Sequence, residues 1–230
     1  MKTAEPSFPG CQIKAVICDI YHTLLEVQDG PEGMEEEWKE GWQKMTGTPP
    51  PPSPAHYDAA CEAMVALDHA AAKAQGEQWP EVDWRSVVRR AAPGLVALDE
   101  SALDALIYFH TTYQRSIQPM PGAWEFLMGL RQRNILTGIA SNAQQVTLTE
   151  MERAGYWIED FPEELCFWSF QHAYSKPDPR VFSGLADQLD HETIHPHEIL
   201  MIGDRMDNDI LPARAAGWLV WHFTGEWPVV

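Results

Sequence analysis

Three short apolar runs in this chain each stop abruptly at a polar residue. Ala15-Val16-Ile17-Cys18 ends at Asp19, Ile139-Ala140 at Ser141, and Ile199-Leu200-Met201-Ile202 at Gly203-Asp204. Runs this short, apolar at consecutive positions, suit strands covered on both faces of a parallel sheet. The first reads as a strand over residues 13–20. After residue 119, helical stretches at Ala123–Arg133, Ala143–Ala154, Pro179–Leu189 and Asn208–Ala216 alternate with strands at Ile135–Ala140, Leu165–Trp168, Ile199–Ile202 and Leu219–Phe223. That alternation predicts an α/β fold with a doubly wound parallel sheet. In such sheets ligands bind at the carboxyl ends of the strands, where the polar residues fall.

The period changes between about residues 25 and 118. Met34–Met45 carries Trp38, Trp42 and Met45 on one helical face, and Ala55–Gly76, Glu81–Ala92 and Ser101–Arg115 are also helical in pattern. Prolines at 49, 50, 51, 52 and 54 cannot lie inside a helix and read as a stiff loop. The expected organisation is a core domain of residues 1–24 and 119–230, with a smaller all-helical domain of residues 25–118 inserted in it.

Composition excludes some partners. Sixteen basic against 34 acidic residues give a formal net charge of −18, the wrong sign for nucleic acid or an anionic membrane surface. A small-molecule substrate is expected instead. Cys11, Cys18, Cys61 and Cys166 show no paired spacing, which fits a reducing compartment. Met1–Gln12 has no long apolar stretch, and no run approaches the roughly 20 apolar residues of a membrane helix. The expected location is the cytoplasm.

The polar residues at the strand ends define chemistry. Asp19 either caps a turn or attacks an electrophile to form an ester-type intermediate. Ser141 and Asn142 hold an oxyanion or a substrate carboxylate, or else begin a helix. Lys176, in Ser175-Lys176-Pro177-Asp178-Pro179, would neutralise the charge of nucleophile and substrate. Gly203-Asp204-Arg205-Met206-Asp207-Asn208-Asp209 gathers carboxylates where a hard cation binds, or caps the following helix.

Taken in order, these four segments resemble the motifs of the haloacid dehalogenase (HAD) superfamily over nearly the whole chain. The resemblance implies that Asp19 is the nucleophile, with Tyr21, Ser141 and Lys176 in the catalytic set. Thr23 and Asn142 would orient the loop and bind substrate. Magnesium would be held by Asp19, the Tyr21 carbonyl, Asp204 and Asp209.

Tyr21 departs from the family's phosphatases, which carry an acid/base aspartate at that position. A phenol with a pKa of about 10 is a poor base at neutral pH. Tyrosine there resembles the 2-haloacid dehalogenases, in which halide leaves without a proton. Those enzymes draw a halide-binding arginine from the early part of the insertion, yet residues 24 to 84 hold no arginine. His22 is a possible substitute acid, and Tyr21 a possible packing residue. Three functions stay open: a magnesium-dependent phosphatase on a small phosphorylated metabolite, a 2-haloacid dehalogenase, and a catalytically impaired binding protein.

Overall fold

The computed structural model describes residues 12–227, so all but the last residue of Met1–Gln12 lies outside the described part. β1 (Ala15–Cys18) leads through a turn into a short strand, β2 (Leu25–Asp29). Four helices follow: α1 (Glu35–Thr46), α2 (Pro54–Ala74), α3 (Trp84–Ala91) and α4 (Glu100–Gln114). The chain returns through β3 (Arg115–Pro119) to α5 (Ala123–Gln132), β4 (Leu136–Ser141), α6 (Gln145–Arg153) and β5 (Cys166–Trp168). It closes with α7 (Pro179–His191), β6 (Ile199–Gly203), α8 (Leu211–Ala215) and β7 (Leu219–His222).

The core sheet has five strands in the order β5-β4-β1-β6-β7, all parallel. Successive side chains of β1 point to opposite faces, and both faces are covered. Val16 and Cys18 pack with Leu127 of α5 and Met151 of α6, whereas Ala15 and Ile17 pack with Phe182 and Leu185 of α7. This is why the run shows no polar alternation. β1 lies at the centre, paired with β4 on one side and β6 on the other, so Asp19, Ser141 and Asp204 emerge side by side at one edge.

The inserted segment is helical in its middle and stranded at its ends. β2 and β3 pair antiparallel from Leu25↔Pro119 to Asp29↔Arg115, which corrects the all-helical expectation for residues 25–118. Both strands are short and half polar, and they bury less than the sheet strands. The helices hold their own apolar cluster, with Trp38, Trp42, Tyr57, Val87, Leu103 and Leu106 among its buried members. The tryptophans of α1 therefore fill a core and do not form an exposed face. Pro49–Pro52 connect α1 to α2, where Ser53 caps the helix by accepting the His56 N–H and Pro54 takes the first turn. α3 begins at Trp84, later than the pattern suggests, because Asp83 caps it.

Two further contacts bring the insertion against the core. The Ser175 N–H donates to the Trp79 carbonyl at 2.9 Å, and the Glu81 N–H to the Ala173 carbonyl at 3.1 Å. The loop before α3 thus lies on the loop that carries Lys176. Among the described residues no helix is long and apolar enough to cross a membrane.

Candidate active site

Asp19 follows β1 directly, and its N–H donates to the Ile202 carbonyl at 2.8 Å, continuing the ladder to β6. Its carboxylate accepts from the Lys176 ammonium at 2.7 Å, and the same ammonium reaches Asp209 at 2.6 Å. All three side chains are buried. Burial drives the Asp19 carboxyl up to about 6; Lys176 pulls it back down, and Asp209 adds to the rise. Burial works against the Lys176 ammonium too, but the two carboxylates outweigh it and hold its pKa above the ordinary lysine value.

Asp204 is half-buried, and one oxygen each of Asp19, Asp204 and Asp209 can lie within 4.8 Å of the others. Burial raises the Asp204 carboxyl, Asp209 raises it further, and His22 opposes the shift. Gly203 makes the cluster possible: a Cβ there would overlap the Asp209 carboxyl. The helix expected from Asn208 to Ala216 instead opens with a wide turn over Met206–Ile210. In that turn the Arg205 carbonyl accepts from both Asp209 N–H, at 2.9 Å, and Ile210 N–H, at 3.2 Å. Wide turns of this kind recur at functional sites. Here it sends Asp209 inward, where its second oxygen accepts the Arg205 N–H at 3.0 Å.

Ser141, at the end of β4, and Thr23 are buried, and neither hydroxyl has a protein hydrogen-bond partner. A buried hydroxyl left unpaired is costly, so each has hydrogen-bonding capacity to spare, although neither is among the residues lining the cavity around Asp19. Asn142 is placed otherwise. Its Oδ1 accepts the Lys176 N–H at 2.7 Å, and its Nδ2 donates to the Lys176 carbonyl at 2.8 Å.

Tyr21 directs its hydroxyl into a cluster away from Asp19. The phenol donates to Glu150, accepts from Arg115 at 2.8 Å and lies 2.8 Å from the Thr147 hydroxyl. Arg115 also donates to both Glu150 oxygens, at 2.9 and 2.8 Å, and its guanidinium stacks 4.6 Å from the Tyr21 ring centre. Burial pushes the phenol well above its ordinary pKa; Arg115 opposes this and Glu150 adds to it. His22 is exposed, with a left-handed backbone (φ 58°) that non-glycine residues seldom adopt. Asp19, Tyr21, His22, Asn142, Lys176, Asp204 and Asp209, with Arg205 and Asn208, line a cavity of about 220 Å³, and the Arg205 guanidinium is held by Asp207.

Arg115, Thr147 and Glu150 escaped the sequence reading. They lie 94, 126 and 129 positions from Tyr21, and only a buried glutamate on the inner face of α6 marks the place in the chain.

The site is that of an α/β protein that gathers three carboxylates and a buried ammonium at the carboxyl edge of its parallel sheet. A model of haloacid dehalogenase-like hydrolases matches residues 13–217, and the chain belongs to that family. The glyceraldehyde 3-phosphate phosphatase of Pyrococcus furiosus is 28% identical over 123 residues, covering 53% of this chain and 49% of that protein. The chain thus matches only about half the length of that curated relative. The fold matches a HAD family enzyme of Bacteroides thetaiotaomicron solved with magnesium and inorganic phosphate, at a TM-score of 0.57 and 17% identity over 94% of this chain and 96% of that one. It also matches L-2-haloacid dehalogenase from Xanthobacter autotrophicus, at 0.51 and 21% identity over 91% and 76%. The fold is common to both chemistries and does not choose between them.

Proposed function

We propose that this protein is a magnesium-dependent phosphatase that moves the phosphoryl group of a small phosphorylated metabolite onto Asp19 and then to water. The observation that carries this reading is the charge at the strand ends: three carboxylates, Asp19, Asp204 and Asp209, converge around one ammonium. A phosphate group is repelled from such a site unless a cation balances it. The all-oxygen donor set fits magnesium, held by Asp19 and Asp204 with the Tyr21 carbonyl and Asp209 contributing. When bound, the ion supplies positive charge toward the phosphate oxygens.

The chain's own groups then divide the work. An Asp19 oxygen attacks phosphorus, the bond to the ester oxygen breaks, and an acyl phosphate forms on Asp19. Water next attacks phosphorus, releasing inorganic phosphate and restoring the carboxylate. Lys176 orients Asp19 and spreads its charge, while the Ser141 and Thr23 hydroxyls have free hydrogen-bonding capacity. Asn142 holds Lys176, with both ends of its amide engaged, and also lines the cavity around Asp19. The Tyr21 proton is committed to Glu150, so the ester oxygen takes its proton from His22 or water.

In this reading residues 25–118 serve as a cap on a core whose described part is residues 12–24 and 119–227, in keeping with the separate apolar cluster of the helices. The name of the Pyrococcus relative supports a small phosphorylated substrate. Free Cys18, Cys61 and Cys166 suit the cytoplasm.

One observation favours the dehalogenase as a second reading: Arg115 supplies, from the far end of the insertion, an arginine beside Tyr21. It is already engaged by Glu150, which leaves it poorly placed to take a halide. A screen of phosphate esters and 2-haloacids, each with and without magnesium, tests the choice. Phosphate release that requires magnesium supports the proposal, and halide release without it overturns the proposal.

A further inference from the structure

A second cavity, of about 380 Å³, lies between the insertion and the core and shares Tyr21 and Asn142 with the cavity around Asp19. We propose that it receives the leaving group, and that this leaving group is uncharged and partly apolar. The substrates are then phosphate monoesters of neutral alcohols, sugars or hydroxyaldehydes, not of carboxylic acids. The inference rests on the phosphatase reading.

The lining carries the argument. Val65, Val82, Trp84 and Val146 supply an apolar wall. Arg115 is the one arginine or lysine among the lining residues, and both oxygens of Glu150 already hold it, at 2.9 and 2.8 Å. Glu81 lines the same space, fixed by the Val82 N–H at 2.8 Å and the Gln144 amide at 3.0 Å. A carboxylate on the leaving group would meet the fixed charge of Glu81, with Arg115 committed and only the imidazole of His69 left to answer it. Such an unpaired charge is a standard device for rejecting a ligand. A hydroxyl, by contrast, finds neutral acceptors in the Thr111 hydroxyl and the Gln114 amide oxygen, and the second Gln114 N–H can serve a carbonyl. The Thr111 proton and the first Gln114 N–H already go to the Ile107 carbonyl and Asp58.

The position suits the chemistry. Tyr21 follows Asp19 by two residues and forms the shared wall, so an ester whose phosphorus faces Asp19 extends its organic part past Tyr21. Because Glu81 belongs to the loop that hydrogen-bonds beside Lys176, the side chain that sets charge preference is tied to the reacting centre.

Initial rates with magnesium on matched esters test this. Glycerol 3-phosphate and glyceraldehyde 3-phosphate are compared with phosphoglycolate and 3-phosphoglycerate, and p-nitrophenyl phosphate serves as the reference. The neutral esters should exceed the carboxylated ones in kcat/KM by about tenfold or more, and Glu81→Lys should shift that ratio toward the carboxylated esters by a similar factor, mainly through KM. Carboxylated esters turned over as well as or better than neutral ones by the wild type overturn the inference, and this arm stands if Glu81→Lys fails to fold. A folded Glu81→Lys protein with an unchanged ratio overturns it as well. If no ester is hydrolysed, the reference included, the phosphatase reading itself has failed and the inference falls with it.

Discussion

Asn142 grips the backbone of Lys176 from both sides, accepting its N–H at 2.7 Å and donating to its carbonyl at 2.8 Å. The residue after one core strand thereby fixes the loop that delivers the ammonium to Asp19 and Asp209. Asn142→Ala should lower kcat/KM about 10- to 100-fold, the usual cost of removing a group that orients a functional residue. Steady-state kinetics beside magnesium titration checks it, since metal affinity should change much less than turnover.

Gly203→Ala should damage the site more than its size suggests. The added Cβ would overlap the Asp209 carboxyl, so either the strand end or the wide turn after it must shift. Overpacking of this kind costs about 1–3 kcal/mol. Thermal unfolding should show that loss, and magnesium titration a weaker site.

Tyr21 and His22 separate by leaving group. With the Tyr21 proton committed to Glu150 and no carboxylate at that position, turnover should fall steeply for alkyl phosphates and little for p-nitrophenyl phosphate or acyl phosphates. Tyr21→Asp should raise rates on the poor leaving groups selectively, up to the roughly 10²- to 10⁴-fold that acid–base assistance supplies. It should also reduce stability, because Arg115 and Glu150 lose their shared partner. If His22 delivers the proton, His22→Ala lowers alkyl ester rates alone. Rates already high on alkyl phosphates and indifferent to both substitutions contradict the reading.

Magnesium binding should depend on pH with a definite sign. Burial raises the Asp19 carboxyl to about 6, so the metal-free site keeps a proton there below that pH and loses it above. A cation needs the ionised form. Affinity should therefore weaken as pH falls through about 6 and level off above it, with proton release on binding. Calorimetry in buffers of different ionisation heat measures both.

Much of this was legible in the chain, for a local reason. Buried parallel strands write themselves as short apolar runs, so the positions of Asp19, Ser141 and Asp204 follow from where those runs stop. The β2–β3 pair was harder to see. Leu25-Glu26-Val27 does alternate, but its partner Ile117 stands about 90 positions away. The wide turn at Met206–Ile210 hides inside a helical pattern, since one extra residue in a turn leaves composition unchanged. The Tyr21–Arg115–Glu150 cluster is a tertiary fact. Its three members come from the loop after β1, the start of β3 and the inner face of α6, and no spacing announces that they meet.

The most direct test of phosphoryl transfer to Asp19 is the mass of the Asp19 peptide. The protein is mixed with a phosphate ester and magnesium, quenched in acid within one turnover and digested. The peptide should carry one phosphoryl group, labile to hydroxylamine, and the adduct should be missing without magnesium and in Asp204→Ala. Turnover by a protein whose Asp19 peptide never gains that mass, or an adduct that forms equally well without the metal, would contradict the account.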